Sequence, residues 1–588
     1  MVLRPRGRGR VGRRRHFFTR ATGEIQWPLS FNPFSQASTF LTDSLARSLA
    51  NDHTCAGLDG AAPGPGCRAL SFPDSVSDPR QLSGPPADGR IASPASASGR
   101  ALVLIRRVGL AYCAVLSIYF LASPFLAAVA PFEEARMPGR AEGLGIPLSR
   151  IPLPQSVLAA LNGRSFLSVP EGFLASYGVL VVAATMLWIS ALLLIRAHED
   201  FITPAHVSSA LRWSMVFTAI LLFATPVLVH DLWLSVAWGR VVAAGSNPYY
   251  VEPTRLADLP LGEPPGLMTY GPLWALISGA SAALSGGSAL AAAALQKVVI
   301  AGAWAASVRV VRLLTRNESP ATQCRAVVLF GWSPLGLIQG VGDGHNDVVL
   351  VLPMLTWLLW SWRARTTRST LALAASVMIK YVTAPLFLLH LARELVERKR
   401  VRASLSSTAV AAGLMIGAMA LFYRSPDFFA AARDLQSFHF FTPSAVIEGL
   451  GRWIGVPVGA LSLLIDLSFF AGAIVVTWRW IRAPSEAAFR AAALWTMLAV
   501  LLGAVGHVWP WFVLWVLPLA AIQAKGRVRW FVGGLAAAAP FLLLPWTVAP
   551  ALGPFWRIGA PGLMLYAIAT GAMLFGERAL DRVGRRSH

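Results

Sequence analysis

Runs of about twenty apolar residues, separated by short polar turns, recur from Val108 almost to the end of the chain. Stretches of that length fit the roughly 30 Å hydrocarbon core of a bilayer when coiled as helices. The pattern predicts spans over 108–130, 172–195, 208–229, 271–287, 289–314, 323–340, 347–362, 369–391, 403–423, 456–479, 490–506, 510–524, 530–549 and 558–575. Several are short and glycine-rich, so the expected number is about 12 to 14. The fold class is an all-α polytopic integral membrane protein. Two places resist simple alternation. The 369–391 run is basic at both ends, which suggests two half-helices forming a re-entrant hairpin near Lys380. The 271–287 run is short, and the count between Tyr270 and Gly342 fails by one crossing, so that run reads as partly re-entrant.

Composition sharpens this picture. Hydrophobic residues make up 55% of the chain and charged ones 14%, with mean hydropathy +0.56, whereas soluble domains carry about a quarter charged residues. The net charge of +22 raises nucleic acid as a partner, but its distribution argues otherwise. Beyond an arginine-rich beginning, the cations sit in short loops such as RVVRLLTR, SWRARTTR, RELVERKRVR and KGRVR. That is the positive-inside signature, and it takes up nearly all the charge, which argues against nucleic acid as a partner. Arg106 and Arg107 then place the N-terminus in the cytoplasm, and Arg196 with Arg212 bracket a second cytoplasmic turn. Span 208–229 runs outward, so Asp231 emerges on the outer face, joined there by loop 424–455, His507 and Trp509.

Residues 1–100, rich in Arg, Ser, Pro, Gly and Ala, lack apolar periodicity and read as a disordered basic cytoplasmic tail. A start assigned too far upstream would also account for them. Residues 101–588 form the membrane domain. Cys55, Cys67, Cys113 and Cys324 show no metal-type or disulfide-framework spacing.

Four constellations carry candidate chemistry. HDLWLSVAWGRVVAAGSNPYY, at 230–250, reads as a helix along the outer surface. At 100° per residue Asp231, Ser235, Trp238 and Val242 share a face, while Trp233 and Arg240 point away. Trp233 and Trp238 fit interfacial anchoring, and Asp231 fits either a helix N-cap or a carboxylate held where a lipid-borne substrate meets water. In VGDGHNDVVLVLPML, Gly342 and Gly344 make a tight loop and Asp347 suits an N-cap. Asp343, His345 and Asp347 together also offer a possible divalent-metal cluster. Lys380 lies mid-span, at a cost of about 3 kcal/mol on insertion scales, and its lone ammonium would suit a mobile phosphate. Outer-face groups complete the set: Arg424, Arg433, Asp434 and His439 in loop 424–455, and HVWPWF, where His507, Trp509 and Trp511 read as a wall suited to sugar rings.

Several of these pieces, taken in order, resemble one family. Asp231, then Gly239-Arg240, then Gly245-x-x-Pro248-Tyr249, is similar to the first outer loop of bacterial polyprenyl-phosphate-mannose-dependent α-1,6-mannosyltransferases. MTYGPLW at 268–274, GHNDVVLVL at 344–352, IKYVTAPL at 379–386 and HVWPWFVLWVLPLAA at 507–521 resemble later elements of the same family, across roughly 104–575. Ser235 and Asn247 depart from it, where relatives often carry Tyr and Asp. The resemblance implies a GT-C glycosyltransferase fold, a lipid-phosphate sugar donor, a glycolipid or lipid-linked glycan acceptor, and transfer with inversion. It makes Asp231 the base, with Lys380 near the donor and His345 and Asp347 lining the site. Asp343, Tyr270, Asn247, Tyr249, Arg433, His507 and Trp509 complete the expected donor- and acceptor-binding set.

The residues agree with such chemistry. A lipid-phosphate donor carries its own leaving group, and no G-x-G-x-x-G nucleotide loop follows a strand. No cofactor is expected, the three-residue metal cluster being the alternative. The expected location is a bacterial cytoplasmic membrane with the site on its outer face. A polytopic transporter or flippase of lipid-linked sugars is the alternative function; against it, polar groups gather on one face and no matching halves appear.

Overall fold

The computed structural model describes residues 94–129, 170–228, 231–251, 253, 266–436, 440–523, 526–544 and 559–586. The tail expected over 1–100 lies outside the described residues up to 93. Among the described residues the chain is helical, and its only β pairing is an isolated parallel bridge between Phe440 and His507. The all-α reading therefore stands.

Helix starts follow local chemistry. Thr203, Ser288 and Ser319 immediately precede the helices Pro204–Leu221, Ala289–Leu314 and Pro320–Gly331. The hydroxyls of Ser288 and Ser319 accept from Ala291 and Thr322 backbone N–H groups, each at 3.2 Å. These caps satisfy donors that the first helical turn leaves free, and proline at the first position loses nothing there.

Six described helices are long and apolar enough to cross a membrane, and a seventh is obtained if the bent pair Pro320–Gly331 and Leu335–Gly342 forms one span. The span expected at 289–314 is the helix Ala289–Leu314. Other apolar runs are broken. The 208–229 run stays helical only to Leu221, and Pro226 bars its continuation, having no N–H for a helical bond and crowding the carbonyl four residues back. The 323–340 run becomes π-helical from Leu335. The 369–391 run stops at Ile379, and Lys380 is extended (φ −154°, ψ 127°) before a new helix begins at Leu386. Two half-helices thus flank Lys380. The helix Pro272–Leu284 has 13 residues, about 20 Å of rise, short of a full crossing.

Indole groups fix the packing between helices. Trp188 Nε1 donates to Val328 O at 2.9 Å and Trp332 Nε1 to Ala210 O at 3.0 Å, while Tyr112 Oη donates to Trp332 O at 2.7 Å. All three rings are buried, so apolar area is removed from lipid without orphaning a donor. Asp347–Trp362 packs in a hairpin with Thr366–Ile379 and also against Ala289–Leu314, and Asp231–Ala243 packs on Pro272–Leu284. These contacts bring the candidate chemistry together.

Candidate active site

Asp231 opens the helix Asp231–Ala243. Trp274 of the neighbouring helix donates its Nε1–H to Ser235 Oγ at 3.0 Å, one turn beyond Asp231, which locks the two helices in register. Trp233 and Trp238 are 6% and 4% exposed, so they pack inside the protein. The anchoring expected of them at a membrane surface does not occur. Trp238 instead donates to Gly266 O at 2.9 Å and meets the Tyr270 ring edge-on. Arg240 donates to Gly287 O at 3.0 Å, away from Asp231, as the helical periodicity requires.

The carboxylate of Asp231 meets two partners from distant sequence. Tyr270 Oη donates to Oδ2 at 3.1 Å, and His345 Nδ1 lies 3.1 Å from the same oxygen. His345 is fully buried, whereas the Asp231 side chain is 17% exposed. The carboxylate is thus the exposed member of the pair. Burial alone would raise its pKa. The hydrogen bond and charge of His345, the charge of Lys380 and the Tyr270 hydroxyl outweigh burial and hold it below the ordinary 3.8.

His345 is fixed from behind by an aromatic pile. Its ring stacks on Trp511 at 3.8 Å, and Trp511 stacks on Trp509 at 5.2 Å with only 4° between planes. Trp509 also meets Phe440 edge-on. His507 lies beside Phe440 and Phe512, at 5.1 and 5.6 Å. The aromatic rings of HVWPWF therefore pack together, and the pile reaches Asp231 through His345. The turn carrying His345 depends on Gly344, whose φ of +82° is costly for a residue with a Cβ.

Lys380 is not the lone ammonium expected from sequence. Its Nζ donates to Asp347 Oδ1 at 2.8 Å, and the same oxygen accepts from Trp515 Nε1 at 2.6 Å. Tyr270, Phe512 and Trp515 rings surround the ammonium at 5.2, 4.3 and 5.1 Å. This also overturns the capping role expected of Asp347. Asn346 occupies the cap position of that helix, and the Asp347 carboxylate serves the ion pair. Tyr270 links the two halves, touching Asp231 through its hydroxyl and Lys380 through its ring. Its position follows from Gly271, whose N–H donates to Ile379 O at 2.9 Å. A Cβ at Gly271 would collide with the Met378 carbonyl.

The remaining expected residues lie differently. Asp343 Oδ1 accepts from Val227 N at 2.9 Å, behind His345. Asp343, His345 and Asp347 thus engage three separate partners, and no described group of three His, Cys, Asp or Glu residues is arranged to hold a metal ion. Asn247 is tied to backbone, its Nδ2 donating to Phe422 O and its Oδ1 accepting from Tyr249 N. Tyr249 donates to Tyr270 O at 2.7 Å and stacks on Phe428 at 4.2 Å, supporting the Tyr270 segment from below. Arg433 sits on Ala430–Gln436, with no hydrogen bond or ion pair to Asp231 among the described residues. His439 lies outside the described residues. Sequence reasoning missed Phe512, Trp515 and Lys297. Lys297, inside the apolar Ala289–Leu314 helix, carried the same signal as Lys380: an ionisable group within a span.

Residues 145–394 match the family profile described as alpha-(1->6)-mannopyranosyltransferase, N-terminal domain. Asp231, Tyr270, His345, Asp347 and Lys380 all fall inside that stretch. Over 390 residues the chain is 23% identical to alpha-(1->6)-mannopyranosyltransferase A of Mycobacterium tuberculosis, which covers 59% of this chain and 72% of that protein. With helices fit to span a membrane and a carboxylate site inside the matched region, the chain is a multi-pass membrane glycosyltransferase similar to the alpha-(1->6)-mannopyranosyltransferases.

Proposed function

We propose that the protein transfers mannose from a polyprenyl-phosphate donor to a hydroxyl of a glycolipid or lipid-linked glycan, on the outer face of a bacterial cytoplasmic membrane. Asp231 is the general base. The supporting observation is the asymmetry of its carboxylate. Both described hydrogen bonds fall on Oδ2, which leaves Oδ1 to accept a proton from an acceptor hydroxyl within hydrogen-bond reach. As the acceptor oxygen bonds to the sugar C1, the C1–O bond to phosphate breaks with inversion, and polyprenyl phosphate leaves with the electron pair.

His345 and Tyr270 keep the carboxylate aimed and ionised. Lys380, fixed by Asp347, supplies positive potential on the phosphate side without moving, a preorganised contribution to the developing charge. The Trp509–Trp511 pile offers a flat apolar face next to the base, suited to a sugar ring.

The deciding experiment is Asp231→Asn, assayed with purified protein and polyprenyl-phosphate mannose. Asparagine keeps the shape and caps a helix as well as aspartate does, but cannot take the proton. Turnover should drop about 10²- to 10⁴-fold, with donor affinity little changed. Near-normal turnover would overturn Asp231 as the base.

A further inference from the structure

Outside the Asp231–Tyr270–His345 group, a second buried polar cluster holds the segments on which that group stands. Lys297 is 4% exposed within the Ala289–Leu314 helix. Its ammonium donates to Ala224 O at 2.6 Å and also to Gly342 O. Asp343 adds a third tie, its Oδ1 accepting from Val227 N at 2.9 Å. Segment 224–227 leads into Asp231, and segment 342–343 leads into His345. Neither segment is α-helical: one follows Leu221, where its helix ends, and the other closes the π-helical stretch Leu335–Gly342. Their own backbones therefore do not fix their spacing.

We propose that Lys297 is a positioning residue for the transfer: by clamping the Ala224 and Gly342 carbonyls, it sets the approach of His345 to Asp231. The proposal rests on the reading of Asp231 as base. Its physical ground is the number of donors on one atom. An ammonium carries three N–H groups and no acceptor, so a single Nζ bridges carbonyls from two segments, which no apolar residue of the same volume does. A lysine inside an apolar span costs about 3 kcal/mol on insertion scales. Here that cost is offset only while both carbonyls and the charge of Asp343 stay in place, so the lysine favours the one arrangement in which all are close.

The test is a double-mutant cycle on purified protein in detergent, with polyprenyl-phosphate mannose as donor. Lys297→Met is expected to lower kcat by about 30-fold or more, since displacements near 1 Å cost up to about 10²-fold, with donor KM within about twofold. His345→Phe, which keeps the stack on Trp511, lowers kcat through the same contact. Groups that act as a unit lose activity non-additively, so the double variant should be close to the worse single. Multiplied losses, or a loss carried by donor KM with kcat intact, would overturn the proposal. Should Lys297→Met fail to fold, Lys297→Gln retains two donors without charge, and the same cycle is scored on it. Asp231→Asn, run alongside, keeps the two ideas separate. If that variant turns over normally the base assignment falls, while the Lys297–His345 coupling is still read from its own four rates.

Discussion

Asp231 is pulled in two directions, and the balance makes a measurable prediction. Burial favours the neutral acid, while His345 foremost, then Lys380 and Tyr270, favour the carboxylate and hold its pKa below 3.8. As the proposed base, Asp231 must be ionised to accept a proton, so activity should be retained above this value and lost as pH falls through it. The acid limb of kcat/KM, which reports the free enzyme, should therefore lie below the ordinary carboxylate range. In His345→Phe the largest opposing influence disappears, burial dominates, and the limb should move to higher pH. Tyr270→Phe should move it in the same direction by less, the tyrosine bond being the smallest of these influences. An acid limb that stays put in His345→Phe would mean that another group controls it.

At the scale of elements, sequence periodicity locates helices but not their partners. The run 289–314 was legible because no proline interrupts it, and the break at Lys380 was legible from cations at both ends of 369–391. The bend between Gly331 and Leu335 was missed although Pro334 marks it, because the run stays apolar on both sides of the proline. Nor could spacing reveal that Lys380 faces Asp347, 33 residues away, or that Asp231 faces His345, 114 residues away. Such pairs depend on which helices pack, and the Asp347–Trp362 and Thr366–Ile379 hairpin decides the first. That pairing changes what a lysine substitution reports. Lys380→Met would strand Asp347, which is fully buried, and breaking one side of a buried pair costs about 3–5 kcal/mol. The single variant should melt well below wild type in detergent. Adding Asp347→Asn, which still accepts from Trp515, should restore the melting temperature but leave donor KM raised. A single variant as stable as wild type would show that the pair does not hold the hairpin.

Across the whole molecule, three helices tie the site to one side of the membrane. Asp347–Trp362 has 16 residues and Thr366–Ile379 has 14, rises of about 24 and 21 Å. Asp347 and Lys380 sit at one end of this hairpin, and Arg363, Arg365 and Arg368 cluster at its turn. Ala289–Leu314 repeats the arrangement, with Lys297 toward the site and Arg309 and Arg312 in its far turns, about 22 Å beyond by rise from Lys297 to Arg312. Short basic turns stay in the cytoplasm, so the Asp231 group should face outward whichever way the broken runs are counted. In a background lacking Cys55, Cys67, Cys113 and Cys324, Gln436→Cys should react with an impermeant thiol reagent in intact cells, and Arg365→Cys only after lysis. The reverse pattern would put the base on the cytoplasmic face. A donor presented on the outer leaflet would then never meet it, so the topology assay tests the proposed substrate as directly as it tests the fold.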